Sequence, residues 1–144
     1  MKSLVTLKSS KDFLEAKKGL FYRSRSFLLQ AFEVKNSNEI KVGYTVSKQN
    51  GNAVVRNKIK RRLRVLANTI LVNYGIKNWN YVIIGKKNAM VEDFEKLENE
   101  MLIALKKIHR EFYDTIFFSF LNYYLSKIDL TLFSKLMSFY ANML

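Results

Sequence analysis

IKVGYTVSKQNGNAVVRNKIKRRLR, residues 40–64, changes periodicity part-way along, and that change decides the fold. The first part alternates. Ile40, Val42, Tyr44 and Val46 fall on one side and Lys41, Gly43, Thr45 and Ser47 on the other, the pattern of a half-buried strand over 40–47. Gly51-Asn52 then supplies a break, and Asn52 is a residue type that caps helix N-termini. Beyond it Val55, Ile59, Leu63, Leu66 and Ile70 recur at intervals of four, four, three and four. That is one apolar face of an amphipathic helix running from about Asn52 to Asn73 and ending before Gly75.

The rest of this helix is basic. Arg56, Lys60 and Arg64 line one flank, Asn57 and Arg61 lie a step further towards solvent, and Lys58 and Arg62 sit on the opposite flank. No acidic residue interrupts 51–68. Like charges at i, i+4 repel by ~0.2–0.5 kcal/mol per pair, which a phosphate or a carboxylate from elsewhere in the fold would relieve. An isolated basic run is more often a solvated helix face. Here residues 1–110 hold 23 Lys/Arg against 9 Asp/Glu, too few acids to neutralise the helix and the other basic segments. Residues 111–144 hold 2 against 3, so the net charge of +13 belongs to a basic body followed by a nearly neutral tail. Such a body points to nucleic acid or an anionic membrane surface.

Other chemistries are excluded or disfavoured. The chain has no cysteine, which removes disulfides and Cys-based zinc sites. Its single histidine, His109, has no second His with which to hold a metal and reads as an exposed residue near a helix C-terminus. There is no Ser/His or Cys/His pairing, no HExxH and no Walker loop. Glu92, Asp93, Glu95, Glu98 and Glu100 spread round the outer face of a helix and read as solvated. The N-terminus lacks the apolar core of a signal peptide, so the cytoplasm is the expected compartment.

Outward from residues 40–64, Ser9/Ser10 cap a short helix over Lys11–Lys18, ending at Gly19. Residues 20–25 form an aromatic-basic connector, Phe27–Val34 a strand, and 35–39 a polar turn. The two strands flanking that turn suggest an antiparallel hairpin. Tyr81–Ile84 reads as a short buried strand and Val91–Ile108 as a second amphipathic helix, with Phe94, Leu97, Met101, Leu105 and Ile108 inward. The order α-β-β-α-β-α describes an α+β sandwich. Residues 111–144 are rich in Phe, Tyr and Leu and read as a helical C-terminal extension. Their longest uncharged run, 115–126, is too short to span a bilayer, which needs ~20 residues. A patch of Phe117, Phe118, Phe120, Leu121 and Tyr124, if exposed, is a site of self-association. A groove between sheet and helix, lined by Phe13 with Phe27 or Tyr44, would hold single-stranded RNA by stacking and charge. Core packing is the alternative for each of these three aromatics.

These residues carry a resemblance. VGYTVSKQNGNAVVRNKIKRRLR at 42–64 resembles the signature region of the protein component of bacterial ribonuclease P, with an Arg-Asn-Arg-like element on the helix after Gly-Asn-Ala-Val. Asp12-Phe13, Arg23 with Phe27-Leu28-Leu29, and YVIIGKK at 81–87 also match, in order, over about 8–108. The resemblance implies a fold similar to the second domain of ribosomal protein S5, with a left-handed β-α-β crossover. It implies a subunit that assists removal of the 5′ leader from precursor tRNA. The active site and its Mg²⁺ would belong to a large catalytic RNA, so the protein would have no catalytic residue and hold no metal. The partners implied are ribonuclease P RNA and precursor tRNA, with no membrane. By the resemblance, residues 1–110 form the RNA-binding domain. Within it Arg56, Asn57, Lys58, Lys60, Arg61 and Arg64 touch the catalytic RNA, and Phe13, Arg23 and Lys48 line a leader-binding cleft. Lys58 stands where the family usually has Arg, which keeps the charge and loses the bidentate fork. Gln30 and Gln49 stand where other members often have an aromatic and a lysine. The tail beyond 110 matches nothing in the family.

Two rival classes share part of this pattern. A general RNA- or DNA-binding module would have the same charge, although the chain shows no helix-turn-helix logic for reading DNA sequence. A membrane-associated protein is suggested by the tail alone, which lacks a Lys/Arg-rich polar face.

Overall fold

The computed structural model describes residues 3–126 and 130–143. Five strands form one mixed sheet: β1 (Leu4–Thr6), β2 (Leu20–Arg23), β3 (Phe27–Glu33), β4 (Ile40–Val46) and β5 (Trp79–Gly85). The helices are α1 (Ser10–Lys18), α2 (Ala53–Tyr74), α3 (Phe94–Leu125) and α4 (Leu130–Met143). The strand order is β1-β4-β5-β3-β2.

That order corrects the expected hairpin. The strands at 27–33 and 40–46 are not neighbours, because β5 lies between them, antiparallel to β3 and parallel to β4. Six of the seven residues of β5 are buried. A strand apolar on both faces is accommodated only in the middle of a covered sheet. The 34–39 loop crosses the start of β5 instead: Val34 N donates to Asn78 O (2.7 Å) and Asn78 N to Glu39 O (3.2 Å). The 20–25 connector is also corrected, since Leu20–Arg23 pairs with β3 as an edge strand. The three-residue β1, parallel to β4, adds a fifth strand that the expected order lacked. The crossover is present: α2 links the parallel neighbours β4 and β5.

Helix α2 forms where the periodicity places it. Asn52 caps it, its side-chain oxygen accepting from Val55 N at 3.0 Å. Gly51 precedes the cap at φ 136°, a value that side chains rarely adopt. Ile59, Leu63, Leu66, Ala67, Ile70 and Leu71 are buried. Each fully buried Leu or Ile contributes on the order of 1.5–3 kcal/mol of gross transfer free energy, far more than the repulsion along the charged flank takes away. At the start of α1, Ser9 occupies the cap position without a side-chain hydrogen bond.

The sheet has two covered faces. Phe27, Leu29, Ile40, Val42, Tyr81 and Ile83 are buried in the main core, where α2 packs on β4 and β5. On the opposite face Leu7, Ala16 and Val82 form a smaller cluster with Phe13, Phe32 and Ile84, which seats α1.

Helix α3 starts at Phe94, not Val91, because residues 87–90 make a 3₁₀ turn first. Arg62 of α2 holds that turn. Its guanidinium donates to the carbonyls of Ala89 (3.0 Å), Met90 (2.7 Å) and Glu92 (2.5 Å). Two acids read as solvated are engaged. Glu100 accepts from the backbone N (3.0 Å) and hydroxyl (2.9 Å) of buried Ser26. Glu92 accepts from Asn88 (3.3 Å) and pairs with Lys96 (3.7 Å). Hydrogen bonds from Asn88 and from the backbone of Asp93 hold the Glu92 carboxyl below its ordinary range.

The chain divides into two compact units, Met1–Ile108 and His109–Leu144, the division falling within α3. His109 is therefore mid-helix, not near a helix C-terminus, and is half-buried, which lowers its pKa. In the second unit Phe117 of α3 stacks on Tyr140 of α4, with centroids 3.9 Å apart. The Tyr140 hydroxyl donates to Asp114, which also faces Arg110 at 3.9 Å. Phe118 and Phe120 are exposed, while the Tyr124 side chain lies outside the described residues. Among the described residues no helix is long and apolar enough to cross a membrane.

Candidate nucleic-acid interface

The α1 face of the sheet is laid out by strand register. One row runs Phe21, Gln30, Val82, Gly43 across β2, β3, β5 and β4. The next row towards the end of the sheet runs Arg23, Leu28, Ile84, Thr45. Phe13 of α1 closes over the first row at Gly43, where a Cβ would come within 2.7 Å of its Cζ. The missing side chain at 43 therefore makes the seat for the ring.

Phe27 and Tyr44, the other aromatics considered for this groove, are not on it. Phe27 is fully buried on the opposite face. Tyr44 also points to that face, where the Arg64 guanidinium lies over its ring at 5.6 Å. Burial pushes the Tyr44 hydroxyl up to about 12, with the Arg64 cation working the other way. Phe32 shares the face with Phe13 but packs into the small cluster under α1. The exposed aromatic on that face is Phe21, 56% exposed with Arg23 over its ring at 5.7 Å. The sequence signal for it was the alternation of Phe21 and Arg23 on one side against Leu20 and Tyr22 on the other, hidden by reading 20–25 as a connector.

Past the Phe27–Gly85–Val46 row, one end of the sheet gathers cations, Arg25, Lys48, Lys86 and Lys87, with Arg23 one row before it. Lys48 and Gln49 are exposed in a 3₁₀ turn, Lys48–Asn50, whose Asn50 ties this end together. Its side chain donates to Ser47 Oγ (2.9 Å) and accepts from Lys87 N (2.9 Å). Lys86 N donates to Ser26 O at 3.0 Å, which docks the β2–β3 turn beside it. Asn50, Arg25 and the two lysines were not singled out from sequence.

Helix α2 sets out from this same end, since Ile59 and Leu63 abut Gly85. Asn57, Lys58, Arg61 and Arg64 are exposed, and Arg56 and Lys60 half-buried. Among the described residues none of these six forms an ion pair with a carboxylate. The Arg56 Nε is buried without a hydrogen-bond partner. Such a donor is costly to leave unpaired.

The ribonuclease P family model matches residues 1–109. The chain belongs to this family. It is similar to the ribonuclease P protein component of Erythrobacter litoralis, 38% identical over 96 residues that span 67% of this chain and 78% of the relative. The protein component from Ruegeria pomeroyi is 37% identical over 106 residues, 72% and 85% of the two chains. The solved ribonuclease P protein of Staphylococcus aureus superposes with a TM-score of 0.59 at 29% identity, covering 70% of this chain and 92% of that one. The mixed sheet with its crossover helix is thus the ribonuclease P protein fold, similar to the second domain of ribosomal protein S5. As a ribonuclease P protein the chain is the accessory subunit of an RNA-catalysed endonuclease that removes 5′ leaders from precursor tRNA. Among the described residues no three His, Asp or Glu side chains gather as a metal site would require.

Proposed function

We propose that the two basic surfaces divide the RNA between them. The basic flank of α2, with Arg56, Asn57, Lys58, Lys60, Arg61 and Arg64, binds the catalytic RNA. The α1 face of the sheet holds the 5′ leader, with bases stacking on Phe13 and Phe21 and phosphates passing Arg23, Arg25, Lys48 and Lys87. The carrying observation is the α2 flank, six polar and cationic side chains without an ion-paired carboxylate among the described residues. Gln30 lies between Phe21 and Val82 in the groove, where it offers a hydrogen bond in place of a stacking ring. Gln49, beside Lys48, leaves the charge there to the lysines. Mg²⁺ is held by the RNA subunit, the protein works in the cytoplasm, and residues 109–144 serve self-association rather than RNA binding.

The absence of cysteine allows single photo-crosslinkers to be attached through Phe21→Cys and Asn57→Cys. The first should capture the leader of a bound precursor and the second the catalytic RNA. A position-21 adduct confined to the catalytic RNA, or a position-57 adduct confined to the leader, would overturn the division. A general RNA-binding module, the rival reading, would give adducts of both kinds at both positions.

A further inference from the structure

The second unit carries an apolar groove beyond the residues that the family model matches. A cavity of about 290 Å³ opens between α3 and α4. Tyr113, Ile116 and Phe120 line it from α3, and Leu136, Phe139 and Met143 from α4, at helical spacings on both sides. Phe139 is 64% exposed and Phe120 50%. The residues matched by the family end at 109, before the first of these side chains. A rimmed apolar patch of this kind marks an interaction site.

Charge decides what fills it. Residues 109–144 contain three basic residues, Arg110, Lys127 and Lys135, and three acidic ones, Glu111, Asp114 and Asp129. Arg110 and Asp114 already face each other. An acidic or basic peptide would meet no excess of opposite charge here. An anionic lipid surface would lack the Lys/Arg-rich polar face that interfacial helices present. A second hairpin of the same sequence brings a matching apolar stripe and no net charge to repel it. The groove's own walls include Phe120 and Phe139, which stay half-exposed or more, so two copies can bury the same apolar face against each other in a two-fold contact.

We propose that a second copy of this chain fills the groove, each copy offering the same face; the proposal rests on the reading of residues 109–144 as the self-associating unit. The product is a dimer with two RNA-binding bodies, which gives bivalent attachment to RNA without any new RNA contact.

Sedimentation equilibrium of the full chain, with Phe139→Glu and Phe120→Glu from opposite walls of the groove, tests this. The full chain should double in mass as its concentration passes through the micromolar range, on the order of 1–100 µM. Both variants should stay monomeric, keep the helical circular dichroism, and still support leader cleavage by the catalytic RNA. Association that survives both substitutions would overturn the groove while leaving the self-association reading in place. A full chain that is monomeric at every concentration would overturn both. Flotation with neutral phosphatidylcholine vesicles supplies the last arm, since a monomeric chain that they carry up, and that Phe139→Glu leaves behind, would assign the groove to lipid.

Discussion

Single atoms decide the chemistry of the groove on the α1 face. Gly43 leaves room for the Phe13 ring, and an alanine there would place its Cβ within 2.7 Å of that ring. Because the atom in the way is the far end of a side chain, the ring should move and the fold should persist. Gly43→Ala should therefore weaken binding of leader-bearing precursor by about fivefold, on the order of 1 kcal/mol for a disturbed stacking contact, while affinity for mature tRNA stays the same. Equal losses for both RNAs would show that Phe13 does not meet the leader. Across the sheet, burial holds Tyr44 neutral up to about pH 12, and Arg64 lowers that value. A hydroxyl raised above its unfolded pKa of ~10 adds stability below that pH, and this is lost as pH rises through about 12. Carbon-13 NMR of Tyr44 Cζ should show the late titration, and Arg64→Gln should push it later still. Phe13 was legible from its motif. Its partner Phe21 was not, because exposure on an edge strand depends on a pairing that four residues cannot announce.

At the scale of the element, α2 was the most legible part of the chain, since cap, period and charge all point the same way over 22 residues. The role proposed for it rests on the separation of faces: Ile59 and Leu63 are fully buried while Arg61 and Arg64 are exposed. Replacing the exposed Lys58 and Arg61 by Ala should change stability by no more than about 0.5 kcal/mol but weaken RNA binding. With ~4 phosphate contacts the logarithm of affinity should fall against that of salt with a slope near −4, and the double variant should flatten it by roughly 1–2. An unchanged slope would remove this helix from the interface. Arg62, in the same run, is a different case: its guanidinium is spent on three backbone carbonyls, a use that no spacing rule distinguishes from phosphate binding. The strands were less legible. β3, β4 and β5 showed their periodicity, but the partner of each is chosen by burial of β5 on both faces, which is a property of the assembled sheet. β1 and β2, of three and four residues, are shorter than any periodicity can resolve.

For the whole molecule, the matched residues and nearly all the excess positive charge end by Arg110. A chain ending there should still support leader cleavage by the catalytic RNA at low Mg²⁺, and should remain soluble at higher concentration. Loss of cleavage at saturating protein would make the tail part of the working structure. RNase-free protein without the RNA should leave precursor tRNA uncut, and mature 5′ ends appearing in that reaction would place catalysis in the protein. The sheet order has one more consequence, for biosynthesis. β5 sits between β3 and β4 yet is translated after both, and after all of α2. While the ribosome is still making residues 75–85, the growing chain can form no more than its two outer pairs, β1 with β4 and β2 with β3. The basic helix is then already complete and has no central strand to lie on. Folding must wait for a long-range insertion, which is the slow kind of step, and during that wait the apolar face of the basic helix has no sheet to cover it.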